Sequence, residues 1–229
     1  MKRIIYFVLA ILVCGIYAGC SESEIELYNQ TSRINFYGSL HIRTLVDTDY
    51  VKKDDPYAID SFTVKIQGDL LKENRDFCVK VSPNSDYQKS VDVLLESKYT
   101  YTELDTVCQV FYYKIKRPAV EAGRKVYGCF LEFDLSNPLH QFDKGLVEQN
   151  QIPLNVRWEL KTDEWGCWSG YKYGSYSDEK YMFIMDVCEC VYEELKEEDY
   201  DKVKQAYKEY REAGNPPILG EDGDEIVYE

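Results

Sequence analysis

Histidine is scarce in this chain, which has only two among its 229 residues, His41 and His140. Metal sites built from several histidines, and catalytic sites that pair a histidine base with a nucleophile, are therefore disfavoured. The sequence also lacks the Gly-x-Ser-x-Gly, Walker and His-Glu-x-x-His motifs of common hydrolases and nucleotide-binding proteins. These absences predict a non-catalytic protein that uses no cofactor and no metal.

Positive charge is also in short supply, with 27 basic against 41 acidic residues and a formal net charge of −14. A partner that offers a phosphate backbone, such as a nucleic acid, is disfavoured by this balance. The chain is 45% hydrophobic and 30% charged, which is an ordinary globular composition. The acidic charge is concentrated at the end, because residues 193–229 hold 13 acidic and five basic residues.

Long apolar runs are absent, since the longest stretch, from Ile4 to Ala18, falls short of the roughly 20 residues of a membrane span. It follows the basic pair Lys2-Arg3 and precedes Gly19-Cys20, which is the layout of a signal peptide over residues 1–19. Ala-Gly-Cys resembles the lipobox of bacterial lipoproteins. That resemblance implies acylation of Cys20, for instance with palmitate, and a lipid anchor in a membrane. A plain signal peptide with a cysteine nearby is the alternative.

Residues 20–30 are expected to form a lipidated acidic tether. The segment 21–26 reads Ser-Glu-Ser-Glu-Ile-Glu, which resembles the export tag of Bacteroides-type lipoproteins displayed on the outer membrane. The resemblance implies an outer-membrane protein that faces the cell exterior. An acidic solvated tether on a protein that faces the periplasm is the alternative.

Apolar and polar residues alternate with a period of two from about residue 30, which is the pattern of half-buried strands. The clearest example runs from Ile152 to Leu160. Turn residues such as Ser82-Pro83-Asn84 separate about eight such segments, and the last long one is Tyr181–Val187. We therefore predict an all-β fold over residues 31–192, an immunoglobulin-like antiparallel β-sandwich.

The pattern changes after residue 192. Tyr200, Val203, Tyr207 and Tyr210 are spaced as one face of a helix, and Gly214 with two prolines ends it. Residues 193–229 are therefore predicted to form a C-terminal α-helix followed by a short acidic tail.

Six segments together resemble a Bacteroides-type lipoprotein family known as domain of unknown function 4843. They are RINFY (33–37), FTVKIQG (62–68), KRP (116–118), LEFDL (131–135), YGSYS (173–177) and KYMFI (180–184). The resemblance implies a surface accessory or binding role beside an outer-membrane nutrient importer of the starch-utilisation type. It implies no active-site residue.

Six cysteines remain besides Cys14 in the signal peptide and Cys20, and an oxidising compartment allows them to form disulfides. They are Cys78, Cys108, Cys129, Cys167, Cys188 and Cys190. Cys188 and Cys190 are expected on one strand, pointing the same way, so that each would pair elsewhere. The alternatives are a zinc site that joins this pair to Cys167 or another thiol, and buried free thiols.

An aromatic, glycine-rich stretch contains Trp165, Trp168 and Tyr171, which are the candidate ligand contacts. Exposed rings between glycines would suit the flat face of a glycan, or a peptide. The alternative is a long connection whose rings fold back over the core.

These observations favour a non-catalytic binding or accessory module that meets importer proteins or a glycan or peptide ligand. An envelope structural or adhesin-like module is the second hypothesis. A glycan hydrolase that uses two of the many carboxylates is the third.

Overall fold

The computed structural model describes residues 32–120, 126–160, 165, 173–220 and 222–228. Within them the strands are β1 (Arg33–Phe36), β2 (His41–Leu45), β3 (Tyr57–Gln67), β4 (Arg75–Phe77), β5 (Val79–Pro83), β6 (Val93–Leu94), β7 (Tyr99–Tyr101), β8 (Cys108–Lys116), β9 (Tyr127–Phe133), β10 (Asp143–Lys144) and β11 (Gln151–Trp158). One sheet has the order β10-β1-β3-β8-β6 and a second has the order β2-β11-β9-β5. The strands β4 and β7 form a separate pair.

The two larger sheets form a β-sandwich around a shared core, so the predicted fold class is confirmed. Strand β3 shows why: Phe62, Val64 and Ile66 are buried on one face while the intervening residues face away. Most strand pairs are antiparallel, and the pairs β1–β10 and β2–β11 are parallel. We call the buried side chains between the sheets the sandwich core.

Three α-helices accompany the strands in the described residues: α1 (Asp47–Val51), α2 (Asp178–Cys188) and α3 (Asp199–Glu212). The strand predicted over Tyr181–Val187 is wrong, because these residues lie in α2. The Ser177 side chain caps this helix by accepting a hydrogen bond from the Lys180 backbone N–H at 3.1 Å. Tyr181, Ile184 and Met185 are then buried together at helical spacing.

The C-terminal helix is confirmed as α3, which buries Val203 and Tyr207. It packs with α2 and with the tail, where Ile226 and Tyr228 are inserted as a buried plug. We call this second cluster the helical core, and its buried members are Leu160, Tyr173, Tyr181, Ile184, Met185, Tyr192, Val203, Tyr207, Ile226 and Tyr228. It draws residues from both sides of the predicted boundary at residue 192.

In the described ranges, no helix is both long and apolar enough to cross a membrane. Cys20 and the whole predicted tether lie outside the described residues.

Candidate binding surface

Trp165 is the one sequence-predicted ligand contact that the structure describes, and it packs against the helical core. Its ring stacks on Tyr192 with 5.1 Å between centroids and meets Tyr176 edge to face at 5.0 Å. Its indole N–H donates to the carbonyl of Gly174 at 3.1 Å. Trp168 and Tyr171 lie outside the described residues. At Trp165, therefore, the ring folds back over the protein and is partly buried.

The five described cysteines, Cys78, Cys108, Cys129, Cys188 and Cys190, are free thiols, and Cys167 lies outside the described residues. Cys188 ends helix α2, and Glu189 follows in the left-handed conformation with φ 56°. The two cysteines therefore do not share a strand as expected. Among the described residues, no group of three or more His, Cys, Asp or Glu side chains is placed to hold a metal.

The thiols of Cys129 and Cys188 are poor nucleophiles. Burial raises the pKa of Cys129 to about 12. Burial, with a smaller contribution from Asp199, raises the pKa of Cys188 to about 11. Since only the thiolate attacks, both side chains are inert at neutral pH.

His41 belongs to a polar cluster that joins the two sheets. Its Nε2 lies 2.8 Å from Oδ2 of Asp60, and the hydroxyl of Tyr113 donates to the same oxygen at 3.1 Å. Burial raises the pKa of Asp60, but hydrogen bonding to His41 and the charge of that ring outweigh it, so the pKa falls below its usual value. Burial and the Asp60 charge raise the pKa of Tyr113 far above its usual value. These contacts connect β2 with β3 and β8. Because Tyr113 stays protonated, the cluster supplies no nucleophile.

His140 also has a structural contact. Its Nδ1 accepts a hydrogen bond from the backbone N–H of Cys78 at 3.2 Å. Burial lowers the pKa of His140 below its usual value, which keeps the ring neutral. The thiol of Cys78 instead lies 3.7 Å from the carbonyl of Ser97, so the pair does not form a cysteine–histidine dyad.

The solvent side of the five-stranded sheet carries large apolar side chains, and we call it the outer face. Its members are Tyr37, Ile59, Leu94, Val110 and Tyr112, which are between 48% and 65% exposed. The strand register places them close together, in successive rows across the sheet. Tyr37 and Val110 flank Thr63, Tyr112 lies opposite Ser61, and Ile59 and Leu94 flank Lys114.

The outer face is basic on an acidic protein. Lys65, Lys114 and Lys116 point outward from β3 and β8. No carboxylate stands at an outward position within strands β1, β3, β6 and β8, all of which the structure describes, whereas the edge strand β10 carries the exposed Asp143 in register with Arg33. Asp92 approaches at the edge, where its Oδ2 lies 3.8 Å from Nζ of Lys116. The face thus combines an apolar centre with positive charge on a chain whose net charge is −14.

No family model matches this chain, and no curated protein matches it. Among solved structures, it is similar to the crystal structure of the apo form of the Calx CBD1 domain, with 8% sequence identity and a TM-score of 0.37. The match covers 57% of this chain and 99% of that domain. The sandwich described above is defined by this chain's own strand order and core.

Proposed function

We propose that this chain is a non-catalytic accessory module of the outer membrane, anchored through Cys20, that binds a partner protein on its outer face. The partner that we propose is a component of a nutrient importer of the starch-utilisation type. The sequence of residues 1–30 supports the anchor and the outward orientation, and the family resemblance supports the importer.

The exposed apolar side chains of the outer face carry the binding part of the proposal. Soluble proteins rarely leave a contiguous set of large apolar side chains in water, and such patches commonly mark sites of interaction. Tyr37 and Tyr112 add two flat rings with a polar hydroxyl, and tyrosine is among the side chains enriched in the centres of protein interfaces.

Shape and composition favour a protein over a glycan on this face. Ile59, Leu94 and Val110 are aliphatic, and aliphatic side chains offer no flat ring on which a sugar can stack. Strand β3 has 11 residues, so at about 3.3 Å per residue the face is roughly 36 Å long. Strands β1, β8 and β6 are shorter, with four, nine and two residues, so four strands spaced about 4.8 Å apart give roughly 400 Å², about half of one partner's share of a standard protein interface.

Charge specifies the chemistry of the partner. Lys65, Lys114 and Lys116 would be attracted to carboxylates around an apolar patch, which steers association and fixes orientation. A symmetric dimer through this face is disfavoured, because its two-fold axis would bring these lysines towards their own copies. We therefore expect a different protein with an acidic rim.

Site-specific photocrosslinking tests the binding surface in the cells that make the protein. A photoreactive phenylalanine replaces Tyr112 in the full chain, and a matched chain carries it at Arg157, which is exposed on strand β11 of the other sheet. We expect one protein to be cross-linked from position 112 and not from position 157. The double charge reversal Lys65→Glu and Lys114→Glu should abolish that adduct, whereas Lys52→Glu, outside the face, should leave it.

The outcomes separate the hypotheses. An importer component as the adduct supports the proposal in full, and an extracellular or other envelope protein instead favours the adhesin-like alternative. Equal cross-linking from both positions, or an adduct that survives the double charge reversal, contradicts the docking surface.

The anchor is tested independently by Cys20→Ala. We expect the variant to leave the membrane fraction, because one lost lipid attachment removes the main source of membrane affinity. Protease added to intact cells should digest the wild-type protein. Retention of the variant in the membrane would contradict lipid anchoring, and full protection from protease would contradict outward display.

A further inference from the structure

A second surface feature lies where the sandwich meets the helices. It is a groove of about 240 Å³, which we call the junction groove. Its main lining residues are Tyr50, Lys52, Lys53, Arg117, Pro118 and Trp158. None of them belongs to the outer face, so the groove is independent of the protein-docking surface proposed above.

Two aromatic rings form the apolar wall of the groove. Tyr50 and Trp158 meet edge to face with 6.2 Å between centroids. The indole N–H of Trp158 donates to the carbonyl of Pro118 at 2.9 Å, and the hydroxyl of Tyr50 donates to Asp186 at 3.1 Å. Both rings are therefore held in place before any ligand arrives, which lowers the cost of binding.

The guanidinium group of Arg117 lies at the floor of the groove, and that of Arg43 lies next to it, outside the lining. Arg117 and Arg43 flank the carboxylate of Asp49, each with a nitrogen 3.5 Å from one of its oxygens. The buried carboxylate of Asp49 thus forms ion pairs with two arginines. Nη1 of Arg117 donates to the backbone carbonyls of Lys52 and Asp55, whereas the Nε atoms of both arginines are buried and make no hydrogen bond in the structure, so the two guanidinium groups share one carboxylate and keep unused donors.

Lysines line the mouth. Nζ of Lys53 lies 2.6 Å from Asp186 and 5.8 Å from the centre of the Tyr50 ring, which fixes it against the aromatic wall. Lys52 is exposed. Of the carboxylates in the lining, Asp49 is engaged by the two arginines, and Asp55 accepts the backbone N–H of Tyr57 at 3.0 Å. The groove therefore presents Lys52 and the guanidinium group of Arg117 beside an aromatic wall, with the exposed carboxylate of Asp55 on the same lining.

We infer that the junction groove binds a small carboxylate that carries one ring. The flat face of the ring would lie against Trp158, and the carboxylate would face Lys52 and the Arg117 end of the floor. A volume of about 240 Å³ is below the common range for drug-sized ligands, which limits the ligand to about one ring. Aromatic acids and sugar acids share this chemistry.

Equilibrium binding to the full mature chain tests the inference with benzoate as the aromatic acid and glucuronate as the sugar acid. Benzamide and glucose are the neutral matched compounds. We expect at least one acid to bind saturably, with an affinity at least about tenfold above its neutral analogue. Binding of benzoate alone would assign an aromatic acid, and binding of glucuronate alone would assign a sugar acid.

Charge reversal at the mouth provides the decisive variant. Lys52→Glu changes an exposed side chain and should fold normally, and we expect it to weaken binding of the acid by about tenfold or more. Lys114→Glu, on the outer face, makes the same change in net charge and should leave binding unaltered. Failure of both acids to bind up to about 10 mM, equal binding of the neutral compounds, or equal effects of the two variants would overturn the inference.

Discussion

The sandwich core and the helical core are built from different side chains. The sandwich core consists mainly of aliphatic and phenylalanine side chains, with four tyrosines among its 24 buried members and with stacked and edge-to-face rings, such as Phe36 on Phe133 at 4.1 Å. In the helical core, five of the ten buried members are tyrosines. Both regions bury tyrosine hydroxyl groups, and these make up a much larger share of the helical core.

Hydrogen bonds from tyrosine organise the helical core. The hydroxyl of Tyr181 donates to Asp47 at 2.8 Å and accepts the backbone N–H of Tyr192 at 2.9 Å, which connects α1, α2 and the segment after α2. The hydroxyl of Tyr228 donates to the carbonyl of Lys180 at 3.3 Å and so fixes the tail. The sandwich core also contains such bonds, as between Tyr113 and Asp60, but a larger share of the side chains in the helical core is tyrosine.

The largest effect is expected at the centre of the sandwich core. Phe77 is fully buried, and its ring contacts those of Tyr99, Phe111 and Phe133. Phe77→Ala should lower the free energy of unfolding by about 3–5 kcal/mol, because it removes buried apolar area and leaves a cavity. Denaturant unfolding measures the change. A loss below about 1 kcal/mol would mean that this ring is not part of a tightly packed core.

A matched pair of tyrosines tests whether hydroxyl groups hold the helical core. Tyr181→Phe should cost about 1–3 kcal/mol, because it removes a donor and leaves the buried N–H of Tyr192 without its acceptor. Tyr173 is equally buried, but its hydroxyl makes no hydrogen bond in the structure. Tyr173→Phe should therefore be neutral or stabilising. Equal losses in the two variants, measured by denaturant unfolding, would contradict this role for the Tyr181 hydroxyl.

Acid should weaken the sandwich before the helical core. Burial lowers the pKa of His140 below 6.5, so the unfolded chain takes up this proton first. The stability that depends on neutral His140 is complete above pH 6.5 and is lost as the pH falls towards the lowered value. Hydrogen exchange should rise first in residues 75–83, next to the Cys78 contact, and later in helix α2.

His140→Asn is the control for that titration. The amide oxygen can accept the Cys78 N–H where Nδ1 does, but it takes up no proton in this range. The variant should lose the stability change that begins as the pH falls below 6.5. An unchanged pH profile would assign the acid sensitivity to another group.

The sequence predicts the sandwich well because apolar and polar residues alternate along its strands. Strands such as β11 bury Ile152, Leu154 and Val156 on one face, and that pattern is visible without a structure. The sequence predicts a strand in place of helix α2 because apolar Tyr181, Phe183, Met185 and Val187 alternate with other residues. The capping residue Ser177, followed by Asp178 and Glu179, was the signal for a helix.

The surfaces were less predictable. The outer face could have been found from β8, since Val110 and Tyr112 make that strand apolar on both sides, an unusual pattern for a sheet with one wet face. The junction groove could not be predicted from the sequence, because only the tertiary fold brings Tyr50, Arg117 and Trp158 together. The bond between His41 and Asp60 likewise depends on the packing of one sheet on the other, although a carboxylate at an inward position of β3 was a hint.

The smallest effect is expected on the outer face, where Tyr112 and Tyr113 form a matched pair on one strand. Tyr112 is 65% exposed and Tyr113 is 3% exposed, with its hydroxyl bonded to Asp60. Tyr112→Thr keeps a residue that favours strands, so it should change the free energy of unfolding by no more than about 0.5 kcal/mol. Tyr113→Thr should cost several times more. If Tyr112→Thr is as destabilising as Tyr113→Thr, then Tyr112 is needed for folding. If Tyr112→Thr is neutral for stability and yet removes the adduct formed by a photoreactive phenylalanine placed at Tyr37 of the same face, the exposed Tyr112 ring acts in binding alone.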